Sequence, residues 1–351
     1  MQKNENYHDM QNKQNIMKLR EILDTLPPFC KEYFRSISDR TSSRTQLAYA
    51  YDIRVFFEFL HDNNPVCMKM NIKDFPISLL DDVTRQDIEE YLSYISLYEK
   101  EGQEHTNTER GKARKLSALR GFYNYFFQIE KIKKNTAELV PSPKLHEKAI
   151  IRLDPNEVAI LLEQVENGDK LTEKELQYHN KTKVRDVAIL TLLLGTGIRV
   201  SECVGLDIKD VDFENDGIKV RRKGGYEAIV YFGEEVREAL LDYMEERTPI
   251  IPETGHEEAL FLSIQNKRIG VRSVEKLVKK YASRVTSLKK ITPHKLRSTY
   301  GTSLYQETGD IYLVASVLGH KDVNTTRKHY ATMDETRRRQ AANAVKLKSD
   351  K

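Results

Sequence analysis

The stretch from Lys131 to Ile150, KIKKNTAELVPSPKLHEKAI, divides the chain into two parts. Pro141 and Pro143 oppose helix formation there, and charged residues stand on both sides of them. The chain has 351 residues, whereas a single domain usually has about 100 to 150. We therefore predict two domains and a linker, over residues 1–140, 153–351 and 141–152 respectively.

The first domain has the apolar spacing of helices. Capping residues 41–44 precede apolar residues at three- and four-residue steps up to Leu60, and Thr84 begins a similar run that includes Ile95. A third run extends over about residues 107–129. We therefore predict that helices alone build this domain.

The second domain is predicted to be mainly helical with one small β element. Short β-branched and aromatic runs around Ile218 and Ile229 flank a Gly-Gly pair, which favours a hairpin with Lys223 at or near its tip. Residues 167–182 are polar and poor in helical spacing, which predicts a surface insertion. Helices are predicted from Pro155 and over residues 233–245, 271–283, 293–305, 311–318, 324–330 and, in a tail, 334–345.

The composition excludes several classes of protein. Hydrophobic residues make up 39% and charged residues 31% of the chain, and no apolar run approaches the roughly 20 residues that span a bilayer. Residues 1–18 lack the apolar segment of a secretory signal, so we expect a cytoplasmic protein with no membrane partner. Neither HExxH nor a short-spaced His and Cys set occurs, so no metal and no other cofactor is implied. The scattered cysteines, expected to be buried thiols in a reducing compartment, are Cys30, Cys67 and Cys203.

Basic residues concentrate in two amphipathic stretches. Residues 110–134 contain eight basic residues against one acidic, and residues 267–297 contain eleven against one. Such faces suit a polyanion, because each Lys or Arg on a phosphate releases condensed counterions. The alternative is a pair of solvated faces, and the net charge of +4 is too small to identify a partner. The predicted DNA contacts are Arg110, Lys112, Arg114, Lys115, Arg120, Lys276, Lys279, Lys280 and Arg284.

Four short clusters stand in a definite order in the second domain. They are Gly195-Thr196-Gly197-Ile198-Arg199, Lys223-Gly224, His294-Lys295-Leu296-Arg297, and Leu318-Gly319-His320 followed by Tyr330. This order closely resembles the tyrosine recombinase and integrase family, whose signature is Arg, Lys, His-x-x-Arg, His and Tyr. The resemblance covers nearly the whole chain and implies six catalytic residues: Arg199, Lys223, His294, Arg297, His320 and the nucleophile Tyr330.

The residue types fit the cleavage of a phosphodiester. The reaction builds negative charge on two non-bridging oxygens, which the planar donor forks of Arg199 and Arg297 can grip bidentately. A phenol has an ordinary pKa of about 10, so Tyr330 needs help to attack, and the arginines favour its ionised form.

Proton transfer and orientation are assigned to the remaining residues. His294, one helical turn before Arg297, is a candidate general base or phosphate orienter. Lys223 is the expected donor of a proton to the departing 5′-oxygen. His320 is expected to hydrogen-bond the phosphate, and Glu202 to hold a neighbouring donor in place.

The resemblance also implies an architecture and a reaction. It implies a SAM-like, core-binding helical bundle at the N-terminus and a mainly helical catalytic domain with a small β-hairpin or sheet, the DNA breaking-rejoining fold. The two domains are expected to close around double-stranded DNA. Four protomers would exchange strands between two sites through 3′-phosphotyrosyl bonds and a Holliday junction, without metal or ATP.

Within the family the chain looks most like the Xer chromosome-dimer resolvases, and its length and polar insertion resemble the single-recombinase XerS type. That implies resolution of chromosome dimers at a dif-like site during chromosome segregation, with a DNA translocase of the FtsK type as a possible activator. The apolar face of the tail, Ala341 to Val345, is expected to pack into a neighbouring protomer.

Two other functions remain open. A type IB topoisomerase uses a similar set of residues and would relax any plasmid without site preference. An architectural DNA-binding protein with a vestigial catalytic set would bind DNA and never cleave it. Several nearby residues are expected to be structural: Tyr300, Tyr305 and Tyr312 as core aromatics, His329 directed away from Tyr330, and Cys203 as a buried thiol.

Overall fold

The computed structural model describes residues 7–100, 102–146, 150–222, 224–320 and 322–330, with the backbone alone at residues 325 and 328–330. The chain forms two compact units, Met1–Lys148 and Ala149–Lys351. Both are mainly helical, as the sequence predicts. The predicted tail helix lies outside the described residues. In the described ranges, no helix has both the length and the apolar character that crossing a membrane requires.

The N-terminal unit consists of helices and one β-hairpin. Its elements are α1 (Tyr7–Leu23), α2 (Phe29–Ser36), α3 (Ser43–Asn63), α4 (Leu79–Asp82), α5 (Arg85–Tyr94), β1 (Leu97–Lys100), β2 (Gln103–Thr106) and α6 (Glu109–Gln128). The prediction that helices alone build this domain is therefore wrong. β2 is polar and exposed throughout, and β1 has Leu97 and Tyr98 side by side, so neither strand shows the apolar alternation by which a strand is recognised. The sequence pattern also misses α1, whose buried residues lie only in its last two turns.

Capping and aromatic packing fix the predicted helices of this unit. At the start of α5, Thr84 and Asp87 form a reciprocal capping box. Phe56 and Phe57 on α3 are fully buried together with Phe122 on α6. The rings of Phe57 and Phe122 meet edge to face with centroids 6.1 Å apart, which is a favourable arrangement for aromatic pairs.

The C-terminal unit surrounds a small antiparallel sheet with helices. Its elements are α7 (Pro155–Asn167), α8 (Glu173–His179), α9 (Lys183–Thr196), α10 (Val200–Gly205), β3 (Val211–Asp212), β4 (Gly217–Arg221), β5 (Glu227–Tyr231), α11 (Glu234–Arg247), α12 (Val271–Val285), α13 (Pro293–Thr308), α14 (Ile311–Leu318) and α15 (Val323–Tyr330). The strand order is β3-β4-β5, and the predicted hairpin is β4–β5, with Gly217 opposite Tyr231 and Arg221 opposite Glu227.

Residues 167–182 lie largely on the surface, as the sequence predicts, but they are not poor in helix. They contain α8, which begins with a capping box and ends at the buried His179. His179 Nδ1 lies 3.0 Å from the Tyr281 hydroxyl, and that hydroxyl donates to Asp186 Oδ2 at 3.1 Å. The segment is therefore polar because most of it faces solvent, while the buried His179 connects it to α12.

Candidate active site

The Gly-Thr-Gly-Ile-Arg cluster forms the junction between α9 and α10. Gly197 ends α9 in the left-handed conformation, with a φ of +62°. A Cβ at Gly197 would overlap the ring of Tyr300 on α13, so glycine is required both by the backbone and by the space. Arg199 follows as the residue that precedes α10. The motif therefore fixes the position of the first predicted catalytic arginine.

Arg199 is held by a carboxylate and by a backbone carbonyl. Its Nη1 donates to Glu202 Oε1 at 2.7 Å, and its backbone N–H donates to Glu202 Oε2 at 2.8 Å. Glu202 is buried, which strengthens a charge-assisted bond. Nη2 of Arg199 donates to the Gly319 carbonyl at 3.5 Å. Glu202 thus contacts the arginine beside it, and its supporting role stays a prediction.

Arg297 on α13 reaches the same turn of backbone. Its side chain is buried, its Nη1 donates to the Gly197 carbonyl at 2.6 Å, and its Nη2 donates to the Leu318 carbonyl. Carbonyls at a helix C-terminus lack intrahelical partners and carry the negative end of the helix dipole, so guanidinium groups suit them. Arg297 therefore joins the α9–α10 junction to the end of α14, where Arg199 also binds.

His320 follows the glycine that terminates α14. Its Nδ1 lies 2.7 Å from the hydroxyl of Thr326, which is fully buried on α15. A partner on one ring nitrogen fixes the orientation of an imidazole. Thr326 is a site residue that sequence reasoning missed, because nothing distinguishes it from other threonines before the fold is known.

The predicted nucleophile is carried by α15, which ends at Tyr330 and packs against α13 and α14. The backbone of Tyr330 therefore belongs to a helix adjoining the elements that carry Arg297 and His320. The side chain of Tyr330 lies outside the described residues, as does Lys223. His294 is an exposed residue in the first turn of α13, one turn before Arg297.

Three of the predicted DNA contacts on α6 bind groups of their own unit. Lys115 is buried, and its Nζ donates to Asp52 Oδ1 at 2.9 Å. Arg114 donates to the same carboxylate with both Nη atoms. Arg120 donates to the Val140 carbonyl at 2.5 Å. Lys115 is therefore a core residue, which corrects its assignment to a DNA-facing surface.

Two of the predicted DNA contacts on α12 are engaged with α8 and α9. Arg284 Nη2 donates to Glu175 Oε1 and Oε2 at 3.1 and 2.9 Å. Lys280 Nζ lies 3.8 Å from Asp186 Oδ2 and 4.0 Å from the centroid of the Tyr281 ring. A basic amphipathic pattern does not distinguish a cation paired with its own fold from one that faces solvent. Among the residues that the structure describes, four of the predicted contacts are exposed or half-buried and form no such internal pair: Arg110, Lys112, Lys276 and Lys279.

Of the residues expected to be structural, those that the structure describes are mostly so, and the side chain of His329 lies outside the described residues. Tyr300 and Tyr305 are partly buried against Val314 and Leu318. Tyr312 is 71% exposed, so the expectation that it is a core aromatic is wrong. Cys203 is fully buried, and burial raises the pKa of its thiol to about 12. A thiol in that environment is a poor nucleophile.

The cluster offers fixed cations and hydrogen-bond donors. A guanidinium group carries five N–H donors, so holding a carbonyl and gripping a phosphate oxygen are compatible uses of one side chain. Within the described ranges, no group of three or more His, Cys, Asp or Glu residues could hold a metal ion. Such an arrangement is able to bind a phosphate and to stabilise charge that builds on its oxygens.

Comparisons with known proteins agree with this chemistry. The phage integrase family matches residues 152–337. Tyrosine recombinase XerC of Caldanaerobacter subterraneus subsp. tengcongensis is 34% identical, over 92% of this chain and 88% of its own length. Tyrosine recombinase XerS of Streptococcus agalactiae is 31% identical, over 89% and 93%.

Solved structures of recombinases share the fold. The XerH site-specific recombinase bound to palindromic difH substrate has a TM-score of 0.64 and 21% identity, covering 86% of this chain and 80% of that one. A lambda integrase tetramer bound to a Holliday junction has a TM-score of 0.61 and 16% identity, covering 86% and 76%. The family match extends over more than half of the chain, and the two relatives are similar over most of it. The chain therefore belongs to the phage integrase family and is a site-specific tyrosine recombinase, an enzyme that transfers DNA strands.

Proposed function

We propose that this enzyme breaks and rejoins its DNA site through a 3′-phosphotyrosyl bond formed by Tyr330. The observation that carries the proposal is the convergence of Arg199 and Arg297 on the end of α14. The two guanidinium groups come from distant segments and meet beside the turn that bears His320. They suit the two non-bridging oxygens of one phosphate, because each provides a permanent charge and paired planar donors.

In the cleavage step, the Tyr330 oxygen attacks phosphorus and the bond from phosphorus to the 5′-oxygen breaks. His294 accepts the phenolic proton as general base and helps to orient the phosphate, and Lys223 gives a proton to the departing 5′-oxygen. The phosphotyrosine conserves the energy of the broken bond. Religation to a new 5′-hydroxyl therefore needs no nucleotide cofactor.

The pentacoordinate phosphorus that forms during attack is stabilised by the residues around the end of α14. Arg199 and Arg297 bind the non-bridging oxygens as negative charge builds, and His320 adds a hydrogen bond. Glu202 keeps the Arg199 guanidinium oriented. Removing one such donor from a desolvated site typically lowers the rate by about 10²- to 10³-fold.

Duplex DNA is held by basic residues of both units. On α6 these are Arg110 and Lys112, and on α12 they are Lys276 and Lys279, all of which are exposed or half-buried. Phosphate contacts of this kind fix the register of the protein on DNA and do not read its sequence. Replacing one of them is expected to weaken binding similarly for all DNA sequences.

The cellular role we propose is the resolution of chromosome dimers at a dif-like site in the cytoplasm. The names of the Xer relatives and the difH substrate of XerH support it. The lambda integrase tetramer on a Holliday junction supports assembly of four protomers on two sites. We further propose that the enzyme acts as a single recombinase, as the resemblance to XerS implies, and that an FtsK-type translocase is its activating partner.

A covalent trapping assay tests the nucleophile. A duplex containing the site, with a nick that lets the short 5′-hydroxyl product escape, should accumulate wild-type protein as a denaturant-resistant adduct. Tyr330→Phe should bind the duplex with unchanged affinity and form no adduct. The matched control is Tyr312→Phe, which removes the hydroxyl of a 71% exposed tyrosine on α14 and should form the adduct normally. An adduct with Tyr330→Phe would show that Tyr330 is the wrong residue.

Covalent trapping on other DNA also identifies the recombination site and distinguishes the alternative functions. Fragments of the host chromosome that become covalently joined to wild-type protein should share one sequence. Adducts spread over all fragments, with relaxation of any supercoiled plasmid, would indicate a topoisomerase. Binding without adducts on any fragment would indicate an architectural protein.

A further inference from the structure

A third arginine binds the end of α14. Arg222 follows β4 directly, and its Nη2 donates to the Val317 carbonyl at 2.8 Å. The next two carbonyls, those of Leu318 and Gly319, accept hydrogen bonds from Arg297 and Arg199. Three consecutive carbonyls therefore bind three guanidinium groups from three separate segments of the unit.

The environment of Arg222 is unusual for an arginine. Its side chain is buried, with 6% of its surface exposed, and its Nη1 has no hydrogen-bond partner among the described residues. A buried donor without a partner costs free energy, so a stability role alone is a poor reason to keep it. Buried polar groups of this kind call for a functional explanation.

The side chain of Arg222 occupies the space beside the glycine of the Leu-Gly-His cluster. Gly319 ends α14 with a φ of +62°, and a Cβ there would come within 2.5 Å of Arg222 Cζ. Real Cβ atoms do not approach other atoms so closely, so any side chain at Gly319 would displace Arg222. The position of Arg222 and the path of the backbone into His320 therefore depend on each other.

We propose that Arg222 is a positioning residue of the active site, which fixes the Gly319-His320 turn against the sheet so that His320 and Arg199 face one phosphate together. This inference rests on the proposed function and extends it to a residue outside the six predicted catalytic ones. Arg222 is tied to the sheet by its backbone, because its N–H donates to the Tyr226 carbonyl at 2.9 Å. Its side chain, bonded to the Val317 carbonyl, holds the end of α14 at a fixed distance from the sheet.

The first test compares cleavage with binding. For Arg222→Met we expect the single-turnover rate of adduct formation at saturating DNA to fall by roughly 10- to 100-fold, since a misplacement of about 1 Å is enough for such a loss. The dissociation constant for a half-site should stay unchanged. Arg222→Lys should recover part of the rate, because it keeps a donor for the Val317 carbonyl. An unchanged rate in Arg222→Met, with wild-type protein active, would overturn the proposal.

The matched control is Arg237→Met. Arg237 also donates to a backbone carbonyl, that of Phe213, and it pairs with the carboxylate of Asp216, which precedes β4 at its opposite end. This variant should keep the wild-type cleavage rate. If both arginine variants lose the same fraction of the rate, Arg222 stabilises the sheet and does not position the site.

A coupled pair of variants tests the contact itself. Gly319→Ala should lower the cleavage rate in the wild-type background, where the new Cβ displaces Arg222. In an Arg222→Ala background the same change should have a much smaller effect, because the obstructing guanidinium is absent. Additive effects would show that Gly319 is required for its backbone conformation alone, and the proposal would fail.

A modified substrate shows which step depends on Arg222. A 5′-bridging phosphorothiolate has a leaving group that needs no proton, so it relieves defects in acid catalysis. Arg222→Met should remain slow on this substrate, because the groups that Arg222 positions bind the non-bridging oxygens. Full rescue would mean that Arg222 acts on leaving-group protonation instead, which would overturn this assignment. Absence of adducts with wild-type protein on either substrate would reject the proposed function itself.

Discussion

We expect Asp52→Ala to destabilise the N-terminal unit more than Lys115→Met does. Asp52 on α3 is 1% exposed and accepts hydrogen bonds from Lys115 and from both Nη atoms of Arg114. Lys115 is also buried, whereas 49% of the Arg114 side chain is exposed. Asp52→Ala therefore removes the carboxylate against which an ammonium group is buried. Lys115→Met leaves Asp52 with the two bonds from Arg114.

The two losses of stability differ because the two variants leave different charges buried without a partner. Breaking a buried ion pair by removing one partner costs about 3 to 5 kcal/mol, because the other charge stays buried. Lys115→Met loses one hydrogen bond to a charged group and keeps the apolar chain, which costs about 1 to 3 kcal/mol. The double variant Asp52→Leu/Lys115→Met removes both charges and should be more stable than Asp52→Ala, because an apolar pair often replaces a buried ion pair at little cost.

Hydrogen exchange of the full-length protein measures the effect locally. Each 1.4 kcal/mol changes an equilibrium constant by about tenfold, so Asp52→Ala should raise opening of α3 and α6 by on the order of 10²- to 10³-fold. Exchange in α9 and α11, which belong to the other unit, serves as the internal control and should not change.

The salt dependence of DNA affinity distinguishes a lysine of the core from a lysine that contacts DNA. Lys115→Met should leave the dependence of log affinity on log salt unchanged, whereas Lys112→Met should reduce that slope by about 1. Our reasoning is refuted if Lys115→Met changes the salt slope as Lys112→Met does and leaves the exchange of α6 unaltered. That result would mean that Lys115 contacts DNA and contributes nothing to the core.

Three further predictions concern the C-terminal unit. Glu202→Gln should lower the single-turnover cleavage rate roughly 10-fold without changing DNA affinity, because Arg199 loses a charge-assisted bond that orients it. The Cys203 thiol, whose pKa burial raises to about 12, should resist a thiol reagent at pH 8 until the protein is unfolded, and Cys203→Ala should still form the DNA adduct. Burial lowers the pKa of His179 in the folded state. On acidification the unfolded state therefore takes up a proton at a higher pH than the folded state does, and stability should fall as the pH drops below about 6.5. His179→Gln should flatten that dependence in denaturation measured between pH 7 and pH 5.

The parts of the fold that follow from local spacing were predictable from the sequence. α14 matches its predicted bounds, and α5 begins at the predicted capping residue Thr84. Both depend on interactions within one turn or two of helix. The β1–β2 hairpin was not predictable, because β2 is polar throughout and the two apolar residues of β1 are adjacent and do not alternate with polar ones.

The candidate site shows a similar division. The residue types at Arg199 and Arg297 indicate phosphate chemistry, and the order of clusters indicates the family. Thr326, Arg222 and the pairing of Lys115 could not be inferred, because each depends on a partner that only tertiary packing brings near. Sequence spacing shows which face of a helix is polar and does not show whether a cation on that face has an internal partner.

Gly197 of the Gly-Thr-Gly-Ile-Arg cluster illustrates why a motif can require glycine for two reasons at once. Gly197 has a left-handed backbone, and a Cβ there would overlap Tyr300 and come within 2.9 Å of Leu318. Gly255 also has a positive φ of +86°, but a Cβ there would meet nothing within 4 Å. Asparagine tolerates the left-handed conformation better than other residues with a Cβ.

Asparagine at each position therefore separates conformation from space. Gly255→Asn should cost at most about 1 kcal/mol, the strain of the left-handed backbone alone. Gly197→Asn should cost about 2 to 4 kcal/mol, because overpacking adds to that strain. Gly197→Asn should also slow cleavage, since the Gly197 carbonyl accepts from Arg297 at 2.6 Å and would move with the backbone. Equal losses of stability in the two variants, measured by chemical denaturation, would show that handedness alone selects glycine, and the steric requirement imposed by the Tyr300 ring would be refuted.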